Sequence, residues 1–405
     1  MNFAWGLLGV VFVFIVAFLF SNNKKAINPR TILAGLGLQI LFGLIVLKWG
    51  PGRAALQAVS EKVQNVVNYA SDGVGFLFGS LGDASQPTGF IFAFNVLTII
   101  IFFSSLIAVL YYLGIMQIVI KFIGGALSKL LGTGKAESLS AAANIFVGQT
   151  EAPLVIRPYI GKLTNSELFA VMTGGLASVA GSVLFGYAAL GVPIEYLLAA
   201  SFMAAPAGLI MAKMIMPETE KKEVDELVEM EKDSETVNVI DAAARGASDG
   251  LNLALNVGAM LLAFIAIISL LNGMLAGIGN WFNVENMTLD TILGYAFAPV
   301  AFLIGVPWSE AVTAGGFIGQ KIILNEFVAY SSFAPQIDNL SDKTVAIISF
   351  ALCGFANLSS LAILLGGLGG MAPSRRSDIA RLGVKAILAG TLANLLSATI
   401  AGMFF

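Results

Sequence analysis

Histidine is absent from the 405 residues of this chain, and cysteine occurs only once, as Cys353. Without an imidazole group the chain can build neither a Ser-His-Asp triad nor most of the known types of zinc site. A single cysteine allows no intramolecular disulfide and no CxxC motif. Cys353 lies in an apolar run, where we interpret it as a small buried side chain. These absences exclude the commonest hydrolytic, redox and zinc-dependent enzymes.

Charged residues are also scarce. They make up 12% of the chain, about half the share found in an ordinary soluble domain, whereas hydrophobic residues make up 57%. The formal net charge is −3 and there is no large basic run, so nucleic acid is not an expected partner. Apolar runs long enough to cross a bilayer recur, without the alternation of a β-barrel strand. The sequence therefore predicts an all-α polytopic membrane protein surrounded by a lipid bilayer.

Eight of the apolar runs are expected to be transmembrane helices. The first follows an uncharged start without a cleavage site, so we interpret it as a retained helix rather than a signal peptide. Basic residues cluster in the loops after the first run and before the last, which places these loops in the cytoplasm and both termini outside. Amphipathic segments within 49–88 and around 121–135 predict interfacial helices. The expected spans are residues 4–20, 32–48, 90–112, 168–190, 195–216, 250–275, 345–370 and 384–404.

Polar residues interrupt the apolar pattern at residues 137–163, where the two apolar halves are each too short to cross a bilayer. A lysine flanks each end of this segment, so both ends are expected on the cytoplasmic side. We therefore predict a re-entrant hairpin with Gly148-Gln149-Thr150-Glu151 at its tip. Residues 290–330 predict a second hairpin, which enters from outside and breaks at Gly305-Val306-Pro307-Trp308-Ser309-Glu310.

The order hairpin, broken span and plain span occurs twice, at residues 137–216 and 290–404, and the copies begin on opposite sides of the membrane. Thr150-Glu151-Ala152 is expected to correspond to Ser309-Glu310-Ala311, and Gly175–Ser178 to Gly354–Asn357. Between the copies, an acidic and lysine-rich segment has too few apolar residues for a core, which predicts a cytoplasmic linker. Inverted repeats with interrupted helices are typical of secondary transporters, whose binding sites lie at the interruptions.

The interruptions carry the groups that bind a cation and a polar solute. Carbonyls at the ends of half-helices are ligands for a hard cation such as Na⁺. A carboxylate pairs well with vicinal hydroxyls, an amide can bind a heterocycle edge by two hydrogen bonds, and an aromatic side chain can cover a ring. The candidate cation ligands are Asn144, Val147, Ser178 and Val179, and the candidate solute contacts are Gln149, Thr150, Glu151, Glu326, Phe355, Asn357 and Ser360.

Three motifs resemble signatures of the bacterial concentrative nucleoside transporters. They are Gly148-Gln149-Thr150-Glu151-Ala152-Pro153, Asn325-Glu326-Phe327-Val328-Ala329 and Cys353-Gly354-Phe355-Ala356-Asn357-Leu358-Ser359-Ser360. The resemblance covers nearly the whole chain and implies a homotrimer in the bacterial inner membrane, in which a transport domain moves elevator-fashion within a scaffold. By this resemblance, residues 1–136 and 250–289 form the scaffold, residues 137–216 and 290–405 form the transport domain, and residues 217–249 form the linker.

The resemblance also implies a role for each candidate residue. Gln149, Thr150 and Glu151 would contact the nucleobase, with Val183 and Phe355 packing near it, and Glu326, Asn357 and Ser360 would hold the ribose. Asn144 and Ser178, with the carbonyls of Val147 and Val179, would bind Na⁺. Proton-coupled relatives tend to lose the polar residue that matches Asn144, so its presence favours sodium. Ser182 and Phe185 stand where relatives often have smaller residues, which leaves the base preference open.

The expected function is sodium-coupled import of nucleosides, with Na⁺ as the coupling ion, no other cofactor and no enzymatic step. Three alternatives remain from the sequence. A proton-coupled carrier of the same kind is the nearest of them. A channel is less favoured, because two opposed hairpins suit alternating access better than a continuous pore. An intramembrane enzyme using Glu151 or Glu326 is disfavoured, because no nucleophile–base pair or metal set accompanies these acids.

Overall fold

The computed structural model describes residues 2–83, 89–220, 236–281 and 287–405. Across these residues the regular structure is helical, without a strand. Parts of the expected interfacial segment, the linker and the outer loop, at residues 84–88, 221–235 and 282–286, lie outside this description. The first part of the chain contains α1 (Asn2–Leu19), α2 (Pro29–Gly43), α3 (Gly50–Phe78), α4 (Phe92–Asn95), α5 (Leu97–Tyr112) and α6 (Ile115–Leu131).

The expected first repeat, residues 137–216, follows α6. It contains α7 (Lys135–Ala143), a non-helical break, a 3₁₀ segment (Ala152–Lys162), α8 (Asn165–Ala177), α9 (Gly181–Ala189) and α10 (Ile194–Ile215). The helix α11 (Val239–Trp281) leads to the second repeat. That repeat contains α12 (Leu289–Leu303), α13 (Trp308–Ile323), α14 (Glu326–Phe333), α15 (Asp342–Leu352), α16 (Ser360–Met371) and α17 (Arg376–Gly402).

The eight predicted transmembrane spans are confirmed. Six helical segments of the described chain are long and apolar enough to cross a bilayer without further assumption. The other two correspond to the shorter apolar helix α1 and to α15 followed by the shorter apolar helix α16, with the predicted interruption between them. The six segments are Pro29–Lys48, Phe92–Tyr112, Asn165–Ala189, Ile194–Ile215, Val239–Gly279 and Pro373–Gly402, of which Asn165–Ala189 is interrupted between α8 and α9.

Burial divides these spans into an inner and an outer group. The most apolar stretches of Asn165–Ala189, Ile194–Ile215 and Pro373–Gly402 are 94%, 89% and 83% buried by protein. The corresponding stretches of α2, α5 and α11 are only 33%, 22% and 17% buried. Within the inner group, α17 packs against α8, α10 and α15, so the two repeats share one core. Because a helix that is apolar all round must be covered by protein or lipid, the outer group faces the bilayer or another subunit.

Local sequence explains where the helices α8 and α14 begin. Thr164 caps α8 through its hydroxyl, which accepts from the N–H of Glu167, while the Glu167 carboxylate accepts from the N–H of Thr164. Asn325 caps α14 in the same manner, since its Oδ1 accepts from the N–H of Val328 over 2.9 Å. Such caps satisfy donors that a helix start leaves unpaired. They let each half-helix begin inside the protein core.

The structure corrects the predicted tip of the second hairpin. The break at Gly305 is present, and α12 and α13 are bent there by 116°. However, Glu310 lies in the first turn of α13 and accepts hydrogen bonds from the N–H and hydroxyl of Ser341, at 3.2 and 2.9 Å. The buried carboxylate of this repeat is instead Glu326, after a second break at 324–325.

The correspondence of Ser309-Glu310-Ala311 with Thr150-Glu151-Ala152 was therefore wrong. Element order aligns α13 with α7 and the break before Glu326 with the break before Glu151. The counterpart of α12 is then α6, so the first repeat begins with α6 rather than at residue 137. The physical reason is that Pro307 followed by an acid in the first turn is a helix-start signal, which by sequence alone resembles a hairpin tip.

Candidate functional site

The first break places Asn144 beside α8. Asn144 caps the end of α7, and its Nδ2 donates to the carbonyl of Ser140 over 3.0 Å. Its Oδ1 is buried and has no hydrogen-bond partner. Gly174 allows this approach, because a Cβ there would lie 3.3 Å from Asn144 Nδ2. The Ser178 hydroxyl donates to the carbonyl of the same glycine over 3.0 Å, so Asn144 and Ser178 both lie beside Gly174.

Two main-chain segments complete this cluster. Val147 and Val179 are buried in non-helical backbone. The N–H of Gly181 donates to the carbonyl of Phe146 over 3.0 Å, which holds the two segments side by side. The structure thus brings Asn144, Val147, Ser178 and Val179 to one meeting point of the hairpin and the broken span. A buried amide oxygen without a partner, next to non-helical carbonyls and a hydroxyl, is a donor set that suits a hard cation such as Na⁺.

The hairpin tip presents Gln149, Thr150 and Glu151 on one short turn. Gln149 is buried against Gly175, where an added Cβ would lie 2.8 Å from the Gln149 Cβ, and its Oε1 has no partner. Thr150 packs against Gly367 of α16. The Glu151 side chain is exposed, and its carboxylate accepts a 2.5 Å hydrogen bond from the main chain three residues earlier. The tip therefore offers one buried free acceptor and one exposed carboxylate.

A second cluster surrounds Glu326 at the start of α14. One carboxylate oxygen accepts from the Tyr187 hydroxyl over 3.1 Å, and the other accepts from Asn357 Nδ2 over 3.0 Å. Asn357 Oδ1 in turn accepts from the N–H and hydroxyl of Ser360, at 2.9 and 3.0 Å. The three residues predicted to act together are thus joined in one hydrogen-bonded chain. Tyr187 was not predicted.

Main-chain contact joins the two clusters. The N–H of Phe355, in the break between α15 and α16, donates to the carbonyl of Ser178 over 3.1 Å. Phe355 is half-buried, and Val183 is buried in the first turn of α9. Residues from both repeats therefore form a single polar centre where four helix interruptions meet. The Phe185 ring stacks on the Phe103 ring of α5, with ring centroids 3.6 Å apart.

Sequence reasoning also missed Lys321 and Asn394, which are both buried. Lys321 Nζ donates to Asn394 Oδ1 over 2.8 Å. Asn394 Nδ2 donates to the carbonyls of Ala177 and Cys353, over 2.6 and 3.0 Å. Both side chains lie inside regular helices, whereas the sequence pattern points to the interruptions. The available signal was their polarity within an apolar span, which by itself marks a residue as a functional candidate.

These features define a class of protein. The chain is a multi-pass helical membrane protein with two inverted repeats, and its interrupted helices meet in a buried polar centre. That combination is the architecture of secondary transporters.

Comparison with known proteins gives the family. Residues 8–81 and 196–402 match the models for the N-terminus and C-terminus of Na⁺ dependent nucleoside transporters, and residues 93–193 match a nucleoside recognition ("Gate") model. The chain is 53% identical over 409 residues to the nucleoside permease NupC of Helicobacter pylori, covering 99% of this chain and 97% of the relative. It is 63% identical to the uncharacterized transporter YutK of Bacillus subtilis, with both chains covered in full.

Solved structures agree with the sequence relatives. CNTnw in an inward-facing substrate-bound state matches with a TM-score of 0.95 and 56% identity, covering 100% of this chain and 98% of that one. A CNTnw variant in an outward-facing state matches with a TM-score of 0.97 and 55% identity, with the same coverage. The chain belongs to the concentrative nucleoside transporter family, and it is a transporter rather than an enzyme.

Proposed function

We propose that the protein is a Na⁺-coupled symporter that imports nucleosides across the bacterial inner membrane. The observation that carries this proposal is the hydrogen bond from the N–H of Phe355 to the carbonyl of Ser178. It joins the candidate sodium cluster directly to the candidate nucleoside cluster, at the point where both main chains leave their helices. Binding in either cluster therefore orders backbone that the other cluster uses, which is what coupling requires.

In this proposal Na⁺ is bound by Asn144 Oδ1, Ser178 and the carbonyls of Val147 and Val179. The unpartnered Asn144 oxygen supports this assignment, because an unsatisfied buried acceptor is costly and a cation would satisfy it. Sodium then ties the end of α7 to the interruption after α8. The neighbouring tip is held in one geometry as a result, so Na⁺ prepares the contact with the base.

In this proposal the nucleoside lies between the tip of the first hairpin and the Glu326 cluster. Gln149, Thr150 and Glu151 contact the base, and Val183 and Phe355 pack near its ring. Glu326, Asn357 and Ser360 hold the ribose, because an oriented carboxylate is a strong acceptor for two adjacent hydroxyls. The hydrogen bonds from Tyr187 and Asn357 to Glu326 support this role, since they fix both carboxylate oxygens.

Transport proceeds by an elevator motion in this proposal. Residues 137–216 and 290–405 form the moving domain, residues 1–136 and 250–289 form the scaffold, and residues 217–249 link them. The difference in burial between the inner and outer spans supports this division. The scaffold forms a homotrimer through its outer helices. Both chain termini lie outside, as the loops rich in basic residues indicate.

The proposal is tested with purified protein in liposomes. An inward Na⁺ gradient should drive saturable accumulation of radiolabelled uridine, and collapsing the gradient should stop it. A proton gradient imposed without Na⁺ should give no accumulation. Uptake driven by protons alone would identify the protein as the proton-coupled alternative, and flux that does not saturate or show counterflow would indicate a channel.

A further inference from the structure

Lys321 lies near the end of α13, and only 1% of it is exposed. A buried ammonium group in a membrane protein is costly unless acceptors or an anion compensate it. Its Nζ donates to Asn394 Oδ1 over 2.8 Å. Lys321 and Asn394 belong to neither the sodium cluster nor the nucleoside cluster, so this buried pair needs an explanation of its own.

The ammonium group fixes the orientation of the Asn394 amide. Since an ammonium group only donates, the amide must present its oxygen to Lys321 and its NH₂ group to the other side. On that side Nδ2 donates to the carbonyl of Ala177 over 2.6 Å and to that of Cys353 over 3.0 Å. The oxygen and both amide hydrogens are then engaged, so the side chain has a single satisfied arrangement.

Each of the two carbonyls lies at the end of the first helix of a broken span. Ala177 is the last residue of α8, and Cys353 directly follows α15, so each marks the point where a broken span is interrupted. Helix C-termini carry unpaired carbonyls and partial negative charge. Ser178, a candidate sodium ligand, follows Ala177 directly, and Asn357 lies four residues after Cys353. One amide therefore binds the last turns next to both candidate clusters.

The packing of α17 leaves this amide little freedom. A Cβ added at Gly390, one turn before Asn394, would lie 2.9 Å from the Leu176 Cβ and 3.1 Å from the Ala356 Cβ. A Cβ added at Gly354 would collide with the Asn394 amide itself. The helix α17 thus passes directly between the two interruptions.

We propose that Lys321 and Asn394 form a positioning pair that holds the two helix interruptions in register, so that Na⁺ bound at the first strengthens nucleoside binding at the second. In this arrangement the Lys321 ammonium group is a fixed cation beside the interruption of the second repeat. The cation beside the interruption of the first repeat is the exchangeable Na⁺. This inference rests on the proposed function, because it assigns the pair to the coupling between the two ligands.

The test measures the coupling factor, defined as the ratio of the uridine Kd without Na⁺ to that with saturating Na⁺, by calorimetry on the purified full-length protein. Asn394→Asp keeps the size of the side chain but cannot donate to the two carbonyls. It should lower the coupling factor about tenfold or more, because it removes two hydrogen bonds at a buried site. Lys321→Met should also lower the coupling factor. The coupling factor of the double variant should be no lower than that of the more severe single variant.

Ser397→Ala is the matched control. It removes a buried, unpartnered hydroxyl from the same helix and should leave the coupling factor unchanged within about twofold. Lys321→Arg keeps the charge and the donor, and should retain more coupling than Lys321→Met. If Asn394→Asp does not fold, Asn394→Ser is measured in its place.

The outcomes separate this inference from the proposed function. A parent protein whose uridine Kd does not respond to Na⁺ contradicts the proposed function itself. A coupled parent whose Asn394 variants bind uridine more weakly, but with the same coupling factor, shows that the pair only supports the fold and overturns the inference. Additive effects of Lys321→Met and Asn394→Asp would also overturn it.

Discussion

The Tyr187 hydroxyl donates a 3.1 Å hydrogen bond to Glu326 Oε1 and so links α9 of the first repeat to α14 of the second. The Tyr187 ring is itself held by stacking on Tyr330, with ring centroids 4.4 Å apart. The second oxygen of Glu326 accepts from Asn357. Both oxygens of the carboxylate are therefore oriented by neighbours on different elements.

Replacing Tyr187 by phenylalanine should weaken ribose recognition. Tyr187→Phe removes one hydrogen bond to a buried carboxylate, which costs about 1.5–3 kcal/mol, so the KM for uridine should rise about tenfold or more. Uptake of 2′,3′-dideoxyuridine should change less, because this analogue lacks the hydroxyls that Glu326 would bind. The control is Tyr330→Phe, whose hydroxyl donates to the carbonyl of Ser349 instead. An equal loss in both variants would count against the role of Tyr187.

Replacing Asn144 by alanine should weaken the binding of Na⁺ more than the binding of the nucleoside. The variant removes the unpartnered buried oxygen of the candidate sodium cluster. The Na⁺ concentration for half-maximal uptake should rise about tenfold or more, since a charge-bearing contact is lost. The control is Ser349→Ala, which likewise removes a buried oxygen that has no hydrogen-bond partner. An unchanged Na⁺ activation curve in Asn144→Ala protein would falsify the sodium assignment.

Two neighbouring glycines of α16 provide a matched test of the hairpin tip. An added Cβ at Gly367 would lie 2.6 Å from Thr150 Cγ2, whereas one at Gly366 would have nothing within 4 Å. Gly367→Ala should therefore displace the tip and lower uridine affinity several-fold, at a cost of about 1–3 kcal/mol. Gly366→Ala should leave affinity unchanged. Binding of uridine at saturating Na⁺ checks both, and similar affinities would argue that Thr150 does not contribute to the site.

The contact between Phe103 and Phe185 tests the elevator motion. Their rings stack at 3.6 Å, which joins α5 of the proposed scaffold to α9 of the proposed transport domain. In a Cys353→Ala background, which removes the single native cysteine, Phe103→Cys and Phe185→Cys should be cross-linked by Hg²⁺. Cross-linking should abolish uptake, and excess thiol should restore it. The single-cysteine variants serve as controls, and full uptake by cross-linked protein would rule out movement of α9 along α5.

A buried ion pair gives a prediction about stability. Lys213 Nζ lies 2.6 Å from Glu137 Oε2, and both side chains are buried. Lys213→Met leaves the Glu137 carboxylate uncompensated and should destabilise the fold by about 3–5 kcal/mol. Lys213→Met combined with Glu137→Gln should recover most of this loss, because no charge is then left buried. Thermal unfolding in detergent checks the order of the variants. The explanation fails if the double variant unfolds at the temperature of the single one.

Much of the fold could be predicted from the sequence because its signals are local. The eight spans follow from the length of apolar runs, and the interruptions follow from polar residues, glycine and proline within those runs. The residues from Asn144 to Glu151 and from Phe355 to Ser360 were candidates for the same reason. They lie in interruptions, where the structure indeed brings them together.

The structure decided which polar groups meet. Glu310 and Glu326 are both acids near a break, yet only Glu326 lies among the other site residues. Lys321 finds its partner Asn394 73 positions further along the chain, and Asn394 reaches Ala177 across 217 positions. Hydropathy and charge are sums over neighbouring residues, so the sequence itself determines spans and breaks. The partner of a buried polar group depends on how distant helices pack, which only the tertiary structure determines.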